Sequence, residues 1–83
     1  MVNMEYLIDV RTPEEFAEGH YTGAVNHELL LMQDGLLPEY PHDSSIYLYC
    51  RSGTRAEQAK EILESAGFSH VFNIGGYDPN LEL

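Results

Sequence analysis

The stretch Ile46-Tyr47-Leu48-Tyr49-Cys50-Arg51-Ser52-Gly53-Thr54-Arg55-Ala56 bears on the fold class and the candidate site together. Its first four residues are all apolar or aromatic, as expected of a strand buried on both faces of a parallel sheet. The strand runs directly into Cys50. From Thr54 onward the period becomes helical, with Ala56, Ala59, Leu63 and Ala66 on one face. Thr54 and Glu57 have the spacing of a capping box, and Gly67 followed by Phe68 reads as the C-terminal stop.

The flanking segments repeat the alternation of strand and helix. Tyr6-Leu7-Ile8-Asp9-Val10 is a short apolar run that reads as a buried strand. Thr12-Pro13-Glu14-Glu15 follows, with a capping Thr, Pro at the first helical position and Glu closing a capping box. That helix is expected to end near Gly19. Ala24-Val25-Asn26 predicts a brief strand, and Leu29 to Leu37 a helix interrupted toward its far end by Gly35. Pro38, Pro41 and Asp43-Ser44-Ser45 read as loop. Val71-Phe72-Asn73-Ile74 predicts a final strand closed by Gly75-Gly76. Strands alternating with helices imply parallel βαβ units with right-handed crossovers, so the fold class is α/β.

Eighty-three residues, 43% of them hydrophobic, make one small domain spanning residues 1–83. A chain of this size buries about 60–65% of its unfolded surface, which leaves a thin stability margin. Fourteen carboxylates against four basic side chains give a net charge of −10. Nucleic acid and anionic membrane are therefore poor partners. No apolar run approaches the ~20 residues of a membrane helix. A small acidic domain of this kind is expected to be monomeric. One cysteine excludes an intramolecular disulfide and a thiolate metal cage. His20, His27, Glu28, His42 and His70 lack metal-ligand spacing, so neither metal nor cofactor is expected.

The four cations are Arg11, Arg51, Arg55 and Lys60, and two of them lie within five residues of Cys50. A loop between the carboxyl end of a buried strand and the start of a helix is where open α/β sheets bind ligands. Its backbone N–H groups converge, Gly53 permits the curl, and the helix adds the positive end of its dipole. Arg51 and Arg55 add full charge if they fold inward, and Ser52 and Thr54 offer hydroxyl donors. All of this favours an anion at the loop centre and a thiolate at Cys50, since helix N-termini and nearby arginines lower a thiol's pKa. Two reactions suit such a loop. One is attack on the outer sulfur of a thiosulfate-like donor; the other is attack on a phosphoryl group. The plainer reading makes Cys50 a buried inert thiol, pairs Arg51 and Arg55 with Glu57 or Glu61, and leaves Thr54 as a cap. Asp9 and Arg11 are assigned structural roles, with Arg11 pairing to Glu14 or Glu15. His20 reads as a structural hydrogen-bonder.

Cys50-Arg51-Ser52-Gly53-Thr54-Arg55 resembles the active-site loop of rhodanese domains. Ile8-Asp9-Val10-Arg11-Thr12-Pro13-Glu14-Glu15-Phe16 resembles the early strand-and-helix motif of that family, and Gly19-His20-Tyr21-Thr22-Gly23-Ala24-Val25-Asn26 its next motif. Gln58 through Phe68, then Asn73-Ile74-Gly75-Gly76, resembles the downstream helix and final strand. The likeness spans nearly the whole sequence in order, and is strongest to the phage-shock single-domain rhodaneses. It implies a three-layer parallel sheet of about four strands and sulfurtransferase activity with a persulfide on Cys50. By the same resemblance the loop amides from Arg51 to Arg55 cradle the transferred group, and Arg51 and Arg55 help bind a small anionic sulfur donor such as thiosulfate. The acceptor would be a thiol or cyanide. The phage-shock likeness places such a domain in the periplasm behind a signal peptide, and otherwise in the cytoplasm.

Two departures from the family pattern concern sheet size and the far wall of the site. The family often has an extra strand and helix before the Asp-Val-Arg motif, and often a tryptophan shortly after the double glycine, where this sequence reads Gly76-Tyr77-Asp78-Pro79. Rhodanese-like phosphatases and arsenate reductases have a loop one residue longer. Here four residues, Arg51 to Thr54, separate cysteine from arginine, which suits a sulfur-sized group. Non-catalytic rhodanese-like binding modules usually lack the cysteine.

Overall fold

The computed structural model describes residues 4–81. In chain order the elements are β1 (Glu5–Asp9), α1 (Pro13–Glu18), β2 (Val25–Asn26), α2 (Leu29–Gln33), β3 (Ser45–Cys50), α3 (Thr54–Ser65) and β4 (His70–Gly76). The four strands form one all-parallel sheet in the order β2-β1-β3-β4. Because the sheet is parallel, the carboxyl ends of β1, β3 and β4 meet at one edge, where Asp9, Cys50 and Gly76 lie.

Side chains alternate across the sheet. Ile8, Ile46, Leu48, Cys50 and Val71 join Leu29 and Met32 of α2 and Ala56, Ala59 and Leu63 of α3 in one core. Burying an Ile, Leu or Val contributes about 1.5–3 kcal/mol each, so this layer dominates the stability. The opposite layer is thin. It holds the α1–β2 connection and an aromatic cluster in which Tyr21 packs on Tyr49 (ring centroids 4.7 Å) and on Tyr77 (4.9 Å). Farther along that face Phe72 and Ile74 remain exposed.

Local signals account for most boundaries. The Thr12 capping box forms as expected: Thr12 Oγ1 accepts from the Glu15 N–H at 3.2 Å, and Glu15 Oε1 accepts from the Thr12 N–H at 3.1 Å. The end of α3 is a Schellman motif, with the Phe68 N–H on Leu63 O and the Gly67 N–H on Glu64 O, both at 3.1 Å. Gly67 takes φ +107° there, and Phe68 is buried against the core. Beyond one-residue shifts at the strand ends, three boundaries differ from the sequence reading. The helix α2 stops at Gln33, four residues early, because the chain turns at Asp34 and Gly35 has φ +88°. Thr54 is the first residue of α3 rather than its cap. Gly53 occupies the cap position in the left-handed conformation, and no side-chain cap bond forms. The final strand also continues through both glycines, shifting register between Leu48 and Cys50 of β3. Among the described residues, no helix is long and apolar enough to cross a membrane.

Candidate active site

Cys50 ends β3 at the base of the loop that leads into α3, and it is almost fully buried. Two backbone donors face its sulfur. The Gly53 N–H lies 3.0 Å from Sγ and the Ala56 N–H 3.4 Å. Ala56 is in the first turn of α3, where N–H groups have no intrahelical acceptor and the helix dipole is positive. The sulfur thus sits at a helix N-terminus. Ser52 and Thr54 lie at the exposed rim, with their hydroxyl oxygens 3.5 Å apart.

The two loop arginines diverge. Arg51 is exposed, forms no ion pair among the described residues, and lines a cleft of about 290 Å³ with Arg11, Glu18, Gly19, Tyr77 and Pro79. Arg55 turns toward α1 and binds both carboxylate oxygens of Glu15, at 2.7 and 3.0 Å. The partner offered by the sequence, Glu57 or Glu61, is not the one used. Hydrogen bonding to Arg55 is the main reason the Glu15 carboxyl is held down at about 2, with the Thr12 N–H assisting against burial. The same bond is the first cause raising Arg55, and the negative charge of Glu15 adds to it against the cost of burial.

Arg11 also corrects the sequence expectation. Its partner is Asp9, which accepts from Arg11 Nε at 2.9 Å and Nη2 at 2.6 Å, with Nη2 also donating to Gly19 O at 2.7 Å. Asp9 is fully buried. The Arg11 guanidinium lies 4.7 Å from the Tyr77 ring centre, and both side chains line the cleft beside Arg51. Burial pushes the Tyr49 hydroxyl beneath this cluster up to about 12. His20 is a structural hydrogen-bonder, with Nδ1 2.8 Å from Phe16 O and its ring stacked on Phe16. Among the described residues, no three His, Cys, Asp or Glu side chains converge as a metal site.

Sequence reasoning gave no role to two residues that shape the loop from β4. Asn73 Nδ2 donates to Gly53 O at 2.9 Å, and Asn73 Oδ1 accepts from the Gly75 N–H at 2.9 Å. Gly76 lies so close to the loop that a Cβ there would overlap the Arg51 carbonyl. The available signal was the Asn73-Ile74-Gly75-Gly76 run itself, since paired glycines ending a strand mark a close backbone approach.

The profile of the rhodanese-like domain matches residues 1–79. The chain belongs to the rhodanese-like domain family. It is 38% identical over 73 residues to thiosulfate sulfurtransferase PspE of Escherichia coli (strain K12), covering 87% of this chain and 70% of that one. A sulfurtransferase of Allochromatium vinosum is 37% identical over 70 residues, covering 84% of this chain and 64% of the relative. Among solved structures, a rhodanese with anions from E. coli superposes with a TM-score of 0.81 at 34% identity, covering 95% of this chain and 94% of that one. The human single-domain sulfurtransferase TSTD1 superposes at 0.75 with 25% identity, covering 88% and 77%. The rhodanese-like fold therefore places Cys50 where its sheet edge, loop and helix N-terminus meet.

Proposed function

We propose that this rhodanese-like domain transfers a sulfane sulfur through a persulfide on Cys50, from thiosulfate or a similar anionic donor to a thiol or cyanide. The observation that carries the reading is the pair of N–H groups, from Gly53 and Ala56, aimed at a single sulfur under a helix N-terminus. The names of the sulfurtransferase relatives support the same chemistry.

In the first half-reaction the Cys50 thiolate attacks the outer sulfur of thiosulfate. A Cys50 S–S bond forms, the donor S–S bond breaks, and sulfite leaves with the bonding pair. In the second, an acceptor thiolate or cyanide attacks the outer sulfur of the persulfide. The Cys50 thiolate departs, and the product is a new persulfide or thiocyanate. No net oxidation is required. The N–H donors stabilise negative charge on sulfur at the start and end of the cycle, and the loop from Arg51 through Ser52, Gly53 and Thr54 to Arg55 cradles the transferred group with its amides. Arg51 supplies the mobile charge that meets the donor. Arg55, already neutralised by Glu15, acts mainly by fixing the loop. Four residues between Cys50 and Arg55 leave room for a sulfur-sized group, in keeping with sulfur rather than phosphoryl transfer.

The test is intact mass of the reduced protein after incubation with thiosulfate, beside Cys50→Ser. The expected result is a gain of one sulfur atom on the wild type alone, discharged by cyanide or a thiol. An unchanged mass, with Cys50 reduced and open to alkylation, overturns thiosulfate as donor.

A further inference from the structure

Gly53 provides the shorter of the two N–H contacts to Cys50 Sγ, at 3.0 Å, and it does so from φ +97°. Glycine has the widest backbone freedom of any residue, and its N–H and carbonyl belong to different peptide groups, so this donor stays on the sulfur only if the groups on both sides of Gly53 are held. The Gly53 carbonyl is held by two bonds. One comes from the Glu57 N–H at 3.0 Å, which is the first turn of α3 closing on itself. The other comes from Asn73 Nδ2 at 2.9 Å, and Asn73 belongs to a different element, β4. The rest of the Asn73 amide is also used. Its Nδ2 reaches Glu57 Oε1 at 3.1 Å, and its Oδ1 takes the Gly75 N–H at 2.9 Å. The side chain is thus locked at both ends, with one end on the residue that points at the sulfur.

We propose that Asn73 is a positioning residue for the sulfur chemistry. By holding the Gly53 carbonyl to β4, it anchors the peptide group after Gly53 and so limits the rotation about the Gly53 torsions that would carry its N–H off Cys50 Sγ. Asn73 touches neither substrate nor sulfur and acts only through Gly53. Its effect on turnover rests on the proposed sulfur transfer, whereas its effect on the thiol does not.

The experiment compares Asn73→Ala with Val71→Ala, a control two residues earlier on the same strand that thins the core without touching the loop. Both variants are studied well below their unfolding temperatures. The first readout is the pH profile of Cys50 alkylation by iodoacetamide. The second is kcat and KM with thiosulfate. Asn73→Ala is expected to move the alkylation profile to higher pH and to lower kcat roughly tenfold, the scale of a weakened hydrogen bond to a charged acceptor, with KM little changed. Val71→Ala is expected to lower stability alone. An Asn73→Ala profile that overlays the wild type, or an equal displacement in Val71→Ala, overturns the proposal. If the alanine variant does not fold, Asn73→Ser, whose hydroxyl is too short to span to Gly53, gives the same two readings. Should no sulfur transfer occur at all, the alkylation profile still decides the role of Asn73.

Discussion

Arg55 and Glu15, forty residues apart, form a two-pronged ion pair with N–O distances of 2.7 and 3.0 Å. The pair ties the start of α3 to the first turn of α1 across the carboxyl edge of the sheet. It also occupies the guanidinium that closes the candidate site loop, so the charge of Arg55 is spent inside the protein. The two loop arginines therefore have different work, and their substitutions are expected to separate.

Arg51→Ala is expected to leave stability within about 0.5 kcal/mol of wild type, because its side chain is exposed and forms no ion pair among the described residues. Its KM for thiosulfate is expected to rise about two- to fivefold, the scale of one solvent-exposed charge contact. The wild-type KM should also climb with added salt, and less so in the variant. Arg55→Ala should lose stability as well as activity. Urea unfolding beside steady-state kinetics checks both; a stability loss in Arg51→Ala equal to that in Arg55→Ala would contradict the division of roles.

The Glu15 carboxyl is held at about 2 in the folded protein, chiefly by its bonds to Arg55, against about 4.3 in an unfolded chain. A depressed folded value means the contribution to stability is complete above the unfolded value and is lost as pH falls toward the folded one. The wild type is accordingly expected to exceed Glu15→Gln in melting temperature at pH ~6, with the gap closing as pH falls from ~4.5 toward ~2. A gap that stays constant through that range would show that the pair contributes nothing through its charge.

Asp9 and Arg11 are both buried and bound to each other, so removing one leaves the other uncompensated. Asp9→Ala is expected to cost about 3–5 kcal/mol, a large share of the stability of so small a domain. The double substitution Asp9→Leu/Arg11→Met should cost less than Asp9→Ala, since no charge remains buried. A double-mutant cycle by chemical denaturation measures this, and strictly additive losses would dissolve the coupling.

Gly53 and Gly76 are needed for different reasons. At Gly53 a Cβ would meet Gly75 Cα at 3.5 Å, an ordinary contact, so Gly53→Ala carries only the left-handed backbone cost of about 1–2 kcal/mol. At Gly76 a Cβ would strike the Arg51 carbonyl, and backbone must move. Gly76→Ala is expected to lower the unfolding midpoint well beyond Gly53→Ala and to disturb the loop itself. Equal midpoints would mean that β4 can retreat without cost.

The sequence by itself determined what acts over a few residues. The apolar-rich runs at Tyr6–Val10, Ile46–Tyr49 and Val71–Ile74 placed three strands, because short apolar-rich stretches bounded by turn residues read as strands without reference to the rest of the chain. Thr12 with Glu15, and Gly67 with Phe68, fixed two helix ends, since a cap is a contact between near neighbours. The Cys50–Arg55 run located the loop through its glycine, its charges and the helix that follows. Only the tertiary structure decided the partners of those charges. Arg55 chose Glu15, forty residues away, over the nearer Glu57 and Glu61. The Thr54 cap failed for a related reason. Gly53, curled left-handed toward the sulfur, took the cap position, and the Glu57 side chain went to Asn73. Asn73 and Gly76 matter because the parallel sheet brings the ends of β3 and β4 to one edge. No local signal records a contact made across twenty or more residues of chain; it exists only once the sheet has closed.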